Sequence, residues 1–242
     1  ITVLSVMSLL ISQKINLRGF QASLIGLQPP SFDGTTMPIE KVPNWYNLNS
    51  SVWESEYEKI PANQLIDIPK YDAENLKRPL QQLNLNQEAG KLLFNTKATY
   101  IIPYMGTYKL DGLENTGSHL AVDIRAPKNT PVYNIGNGVV TKVTTGDIGF
   151  GNHIVIKHEN FPSIDNPQIK TTYYSSYSHL STVLVSEGQI GLKGRKIGLT
   201  GQSGNATLPH LHFQIDKSDA PWHPYWPFNA EEAHNERYSL YD

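Results

Sequence analysis

Two short stretches of the chain carry side chains able to hold a metal ion. Residues 117–124 read Gly-Ser-His-Leu-Ala-Val-Asp-Ile, and residues 209–215 read Pro-His-Leu-His-Phe-Gln-Ile. If each is a strand, alternate side chains point to opposite faces. His119, Ala121 and Asp123 then share one face, with Leu120, Val122 and Ile124 on the other. In the second stretch His210 and His212 lie opposite Leu211, Phe213 and Ile215. The small Ala121 leaves open space between two polar groups. Pairing two such strands makes the polar groups converge, and tetrahedral zinc takes imidazole nitrogen and carboxylate oxygen, with three protein ligands plus water in catalytic sites. Neither stretch is specific alone, because a single buried His is usually just hydrogen-bonded. Their combination is hard to explain as packing, since a carboxylate among core residues is costly without a cation. His179, in the Tyr-Ser-His-Leu-Ser run at 177–181, is a further candidate. His153, His158, His223 and His234 take the plain structural reading.

The elements that must position these residues belong to the second half of the chain. After Thr96 the sequence turns to short β-branched and aromatic runs (ATYIIPY, HLAVDI, PVYNI, GVVTKVTT, NHIVIKH, TTYYSSYSHL, KIGLTG, HLHFQI) separated by Gly and Asn. Such runs predict antiparallel strands joined by hairpins, closing as a barrel or sandwich. Residues 28–79 are instead rich in Pro, Asn, Ser and aromatics, which argues against long regular elements. A short helix is expected over Asn86–Asn95, weakened by Gly90. The expected organisation is therefore residues 1–27 as a signal or anchor remnant or a first structural element, 28–95 as an irregular arm, and 96–242 as the catalytic domain with a closing tail from Ala220. Ile1–Ile11 is apolar and about as long as a signal-peptide core, with no basic segment ahead of it; a buried strand or helix is the equal alternative.

Composition narrows the function classes. The 242 residues contain no Cys, which excludes disulfides, thiolate catalysis and Cys-ligated metals and leaves His and carboxylate as the metal donors. The 20 Lys plus Arg against 22 Asp plus Glu give a net charge of −2, so no polybasic grip for nucleic acid is present. No run approaches the roughly 18–20 apolar residues needed to span a bilayer, so membrane attachment is expected only through an N-terminal anchor.

The stretch from about Tyr100 to Asp216 resembles the lysostaphin-type zinc metallopeptidases, the Gly-Gly and peptidoglycan DD-endopeptidases. The resemblance runs through GSHLAVDIRAPKNTPVYNIGNGVV, GFGNHIVIKHEN, YSSYSHLS, VSEGQIGLKGRKIGLTGQSGN and PHLHFQI, in the family's order. It implies a mainly β, barrel-sandwich-like catalytic domain and one zinc ion held by His119, Asp123 and His212. It also implies His179 and His210 as the catalytic histidines, peptidoglycan peptides as substrate and an extracytoplasmic location, periplasmic or secreted. Two departures stand out. Ala121 replaces the family's usual Gly, and the loop ENFPSIDNPQIKTT at 159–172 is longer than the usual short hairpin, which predicts a wall of the groove. Two further readings compete. One is a metal-free relative that activates another cell-wall hydrolase, against which stand the intact His and Asp positions. The other is a phosphocarrier, which EGQIGLKGRKIG resembles but which has no need of Asp123. For the arm, the Asn oxygens of Asn44, Asn47 and Asn49 beside Trp45 and Tyr46 predict either a segment laid in the groove or a plain spacer.

Overall fold

A computed structural model of the protein describes residues 28–48, 56–110, 112–227, 229–235 and 237–240. Ile1–Ile11 and Asn49 lie outside them. Twelve strands are present among the described residues: β1 (Lys41–Pro43), β2 (Leu65–Asp67), β3 (Tyr100–Ile102), β4 (Val122–Arg125), β5 (Pro131–Tyr133), β6 (Gly138–Thr144), β7 (Asn152–Pro162), β8 (Lys170–Val183), β9 (Ile190–Gly191), β10 (Lys196–Thr200), β11 (His210–Lys217) and β12 (Ser239–Leu240). β1 and β2 form a small ribbon. The rest make one antiparallel sheet ordered β3-β4-β11-β8-β7-β6-β9, with β10 bridging β8 to β5 and β12 on β11. The antiparallel, hairpin-rich expectation holds, and the described strands form an open sheet rather than a closed barrel.

The core lies beneath this sheet. Leu120, Ile124, Val132, Val140, Ile154, Ile156, Tyr177, Leu180, Ile197 and Leu211 are essentially inaccessible to solvent, and they alternate with the polar row that forms the site. The first metal stretch departs from a single strand. His119 pairs only with Gly106 in an isolated bridge, its carbonyl accepts from the Met105 N–H at 2.6 Å, and the regular strand begins at Val122.

The arm is part of the same core. Ile39, Val42 and Leu76 belong to the hydrophobic cluster that includes Ile124 and Leu211. The backbone of Thr36 donates to Ile135, and that of Tyr133 to Pro38. A 12-residue helix, Glu88–Thr99, runs into β3. Trp45 is buried, donates its indole N–H to Thr99 Oγ1 at 3.1 Å and lies under the Arg125 guanidinium, 4.7 Å from the ring centre. Asn44 Oδ1 accepts from Asn95 Nδ2. The groove-filling expectation for the arm is thus corrected: the oxygen of Asn44 is spent on the helix, and none of the described arm residues lines the cleft around the candidate site. The long 159–172 loop is corrected too. It extends the β7–β8 hairpin at the end remote from the site, where Phe161 packs on Phe32 and His158.

Candidate metal centre

Register builds the site. In the β4–β11 ladder Asp123 faces His212 directly, and in the β11–β8 ladder His212 faces Ser178. Side chains at paired positions lie on the same face a few ångströms apart, so Asp123 and His212 meet. His119 comes from the Gly106 bridge just ahead of β4. His119 Nε2 and His212 Nδ1 are 3.1 Å apart, His119 Nε2 and Asp123 Oδ1 3.1 Å, and His212 Nδ1 and Asp123 Oδ1 3.0 Å. All three residues are buried and form the one group of three or more candidate metal donors among the described residues.

Each imidazole in the triangle has its second nitrogen engaged. His119 Nδ1 donates to the Pro103 carbonyl at 3.3 Å, and His212 Nε2 lies 3.4 Å from Gln214 Oε1. The remaining nitrogens, His119 Nε2 and His212 Nδ1, point at Asp123 Oδ1 and at each other, the places ligand atoms would take. Burial would raise the Asp123 carboxyl, but the charges of His119 and His210 and hydrogen bonds from His119 and His212 outweigh it and hold it well below the usual carboxylate range. Burial lowers His212, against the pull of the same carboxylate. Two imidazoles and one carboxylate around a common point, with further positions open, suit a tetrahedral or five-coordinate divalent metal.

His179 and His210 stand beside the triangle, their rings 4.7 Å apart centre to centre. His179 Nδ1 donates to the Ser203 carbonyl at 2.8 Å, and His210 Nδ1 donates to the Leu208 carbonyl at 2.8 Å. His210 Nε2 is 3.6 Å from Asp123 Oδ2. Burial, with His212 and His210 nearby, lowers the His179 pKa to about 3. Its backbone is left-handed, with φ +62°, a conformation that costs energy for a non-glycine residue and is common at functional sites. The His179 N–H bond to Phe150 O at 2.9 Å keeps it there. The Ser203 carbonyl is fixed in turn by two interlocked glycine turns. A Cβ on Gly151 (φ +66°) would lie 2.4 Å from the Ser203 carbonyl carbon, and one on Gly204 (φ +69°) would lie 2.4 Å from the Gly151 nitrogen.

All five sequence-derived residues, His119, Asp123, His179, His210 and His212, line one cleft of about 830 Å³. Sequence reasoning missed its aromatic rim. Tyr108 meets His119 edge-on at 5.4 Å, Phe150 lies 5.5 Å from the His212 ring, and Trp226 touches both Tyr108 and Phe150. Trp226 is part of the tail expected to pack on the domain, but nothing in its spacing announced a cleft. Gln214 was legible in principle, because it sits two residues after His212 and so on the same strand face.

An antiparallel β scaffold here carries a buried His/Asp/His triangle able to hold a divalent metal, flanked by two further histidines in an open cleft. Residues 117–224 match the model of peptidase family M23. The chain is 40% identical to peptidoglycan DD-endopeptidase ShyA of Vibrio cholerae over 97 residues, 40% of this chain and 20% of that protein. It is 34% identical to the uncharacterized lipoprotein YgeR of Escherichia coli over 123 residues, 51% of this chain and 41% of that protein. The catalytic domain of the antimicrobial peptidase lysostaphin from Staphylococcus simulans aligns at 28% identity and a TM-score of 0.36, covering 50% of this chain and 78% of that domain. The matched segment spans only about a fifth to two-fifths of the two curated relatives' lengths.

Proposed function

We propose that this chain is a zinc-dependent endopeptidase that hydrolyses peptide bonds in bacterial peptidoglycan, in its cross-links or stem peptides. The observation that carries the reading is the 3.0–3.1 Å triangle of His119 Nε2, Asp123 Oδ1 and His212 Nδ1 with two more histidines beside it. The donor set fits zinc, and His119, Asp123 and His212 would hold it. When bound, zinc supplies a Lewis acid that polarises a carbonyl and makes water a stronger acid.

The chain's own residues do the rest. His179 is neutral at pH 7, its Nδ1 proton committed to Ser203, so Nε2 is the bare acceptor that takes the proton of the attacking water. His210 is held by its Nδ1 on the Leu208 carbonyl, which aims Nε2 into the cleft beside Asp123, where it steadies the developing oxyanion. Tyr108, Phe150 and Trp226 wall the cleft and exclude water on one side of the reacting bond. Residues 96–242 are the metallopeptidase unit in this reading. The relative named a peptidoglycan DD-endopeptidase supports the substrate class, and the one named a lipoprotein supports work in the cell envelope, outside the cytoplasm.

The test is digestion of purified muropeptides that differ in cross-link chemistry by the full chain loaded with zinc, with product masses recorded. Masses that drop by cleavage of a peptide bond are expected. Unchanged muropeptides of every cross-link type would overturn the reading.

A further inference from the structure

A buried polar chain runs from the metal triangle to the C-terminal tail, and none of its members beyond His212 faces the reaction. His212 Nε2 points at Gln214 Oε1. The Gln214 amide cannot rotate freely, because its Nε2 donates to Asp216 Oδ1 at 2.6 Å and to the Tyr225 carbonyl at 2.8 Å. With the amide nitrogen held by two acceptors, the amide oxygen is the atom left to face His212. Asp216 is held as firmly: Oδ2 accepts from the Tyr225 N–H at 3.0 Å and from His223 Nδ1 at 3.1 Å. The His223 ring stacks on Tyr174, 3.7 Å between centres and 15° between planes. Gln214 is 1% exposed and Asp216 is fully buried. Two buried polar side chains at consecutive inward positions of β11 would be a poor choice for packing alone.

We infer that Gln214 is a positioning residue for the metal centre: it accepts the Nε2 proton of His212, fixing the tautomer that leaves Nδ1 free to ligate, and Asp216 with the 223–225 tail turn locks Gln214 in that orientation. The inference rests on the zinc reading above. Oxygen acceptors behind ligating imidazoles fix ring orientation, and losing one typically lowers metal affinity by roughly 10–100-fold. The arrangement also explains why the tail is folded back onto β11. His223 and Tyr225 complete the hydrogen bonds of a carboxylate that burial alone would push toward protonation.

The experiment measures zinc affinity of the full chain by competition with a chromophoric chelator, for wild type and Gln214→Leu. Leu removes the acceptor and keeps the volume. Zinc affinity should fall about 10–100-fold in Gln214→Leu, while zinc-free Gln214→Leu melts close to zinc-free wild type. Wild-type affinity in a folded Gln214→Leu chain overturns the inference but leaves the zinc reading standing. A wild-type chain that binds no zinc overturns both. Imidazole ¹⁵N spectra of the zinc-loaded wild type supply a measurement that needs no variant. His212 should carry its proton on Nε2, and a proton on Nδ1 contradicts the inference.

Discussion

Acid should destabilise this protein through a histidine that takes no part in the cleft. His158 is 1% exposed in the middle of β7. Its Nδ1 donates to the Asn137 carbonyl at 3.0 Å, and its Nε2 meets Ser175 Oγ at 2.7 Å. Burial brings its pKa down from 6.5 to about 4, against a small upward pull from the Asn137 carbonyl. On acidification the unfolded chain takes up this proton first, so the unfolded state is favoured as pH falls through 6.5, and the loss saturates below about 4. At roughly 1.4 kcal/mol per pKa unit, the full loss is about 3 kcal/mol, of which about 2 kcal/mol accrues between pH 7.5 and pH 5. That is a large part of the ~5–15 kcal/mol that holds a typical domain folded. Other groups titrate over the same range, so the quantity to read is the difference between wild type and His158→Gln. Urea unfolding of both zinc-free proteins at pH 5, 6 and 7.5 gives it. Wild type should lose about 2 kcal/mol more than the variant between pH 7.5 and pH 5. Parallel stability curves for the two proteins would refute the argument that His158 is buried in its neutral form.

Other outcomes follow from the same geometry. His179→Ala and His210→Ala should keep zinc by elemental analysis yet lose turnover by about 10²–10⁴-fold on muropeptides, the usual worth of positioned acid–base groups; loss of metal in either would make that residue a ligand instead. Gly151→Ala should cut turnover and lower the melting temperature, because the added methyl would meet the Ser203 backbone that holds His179; unchanged turnover would show that the turn relaxes freely. A chain beginning at Asn95 should unfold or aggregate rather than gain activity. It lacks Ile39, Val42 and Trp45, all buried, and each large apolar side chain is worth about 1.5–3 kcal/mol. A folded, more active truncated chain would restore the groove-filling view of the arm.

The donor set was legible because strand alternation is strict. His210 and His212 differ by two, and their apolar partners Leu211 and Phe213 mark the opposite face. His119 was legible for a weaker reason, since it stands outside the regular strand and reaches Asp123 through a bend at Ala121 rather than through alternation. The phosphocarrier-like run EGQIGLKGRKIG also has a structural account, as it builds β9 and the start of β10. The arm was illegible because the three-residue spacing of its buried residues matches no strand alternation and crosses Pro43. Ile39, Val42 and Trp45 are separated by Glu40, Lys41, Pro43 and Asn44, and their partners lie tens of residues further along the chain. Tyr108, Phe150 and Trp226 reach the cleft from three separate loops, and long-range convergence of that kind leaves no local trace. Gln214 and Asp216 continue the alternation of His210 and His212, so period two marked their face, though not their tie to Tyr225 and His223.

The central claim is that His119, Asp123 and His212 hold one zinc ion. Elemental analysis of the full chain, freed of loosely bound metal, tests it most directly. The account predicts close to one zinc per chain in the wild type and almost none in His119→Ala. A wild-type protein without zinc that still hydrolyses peptidoglycan peptides would contradict it.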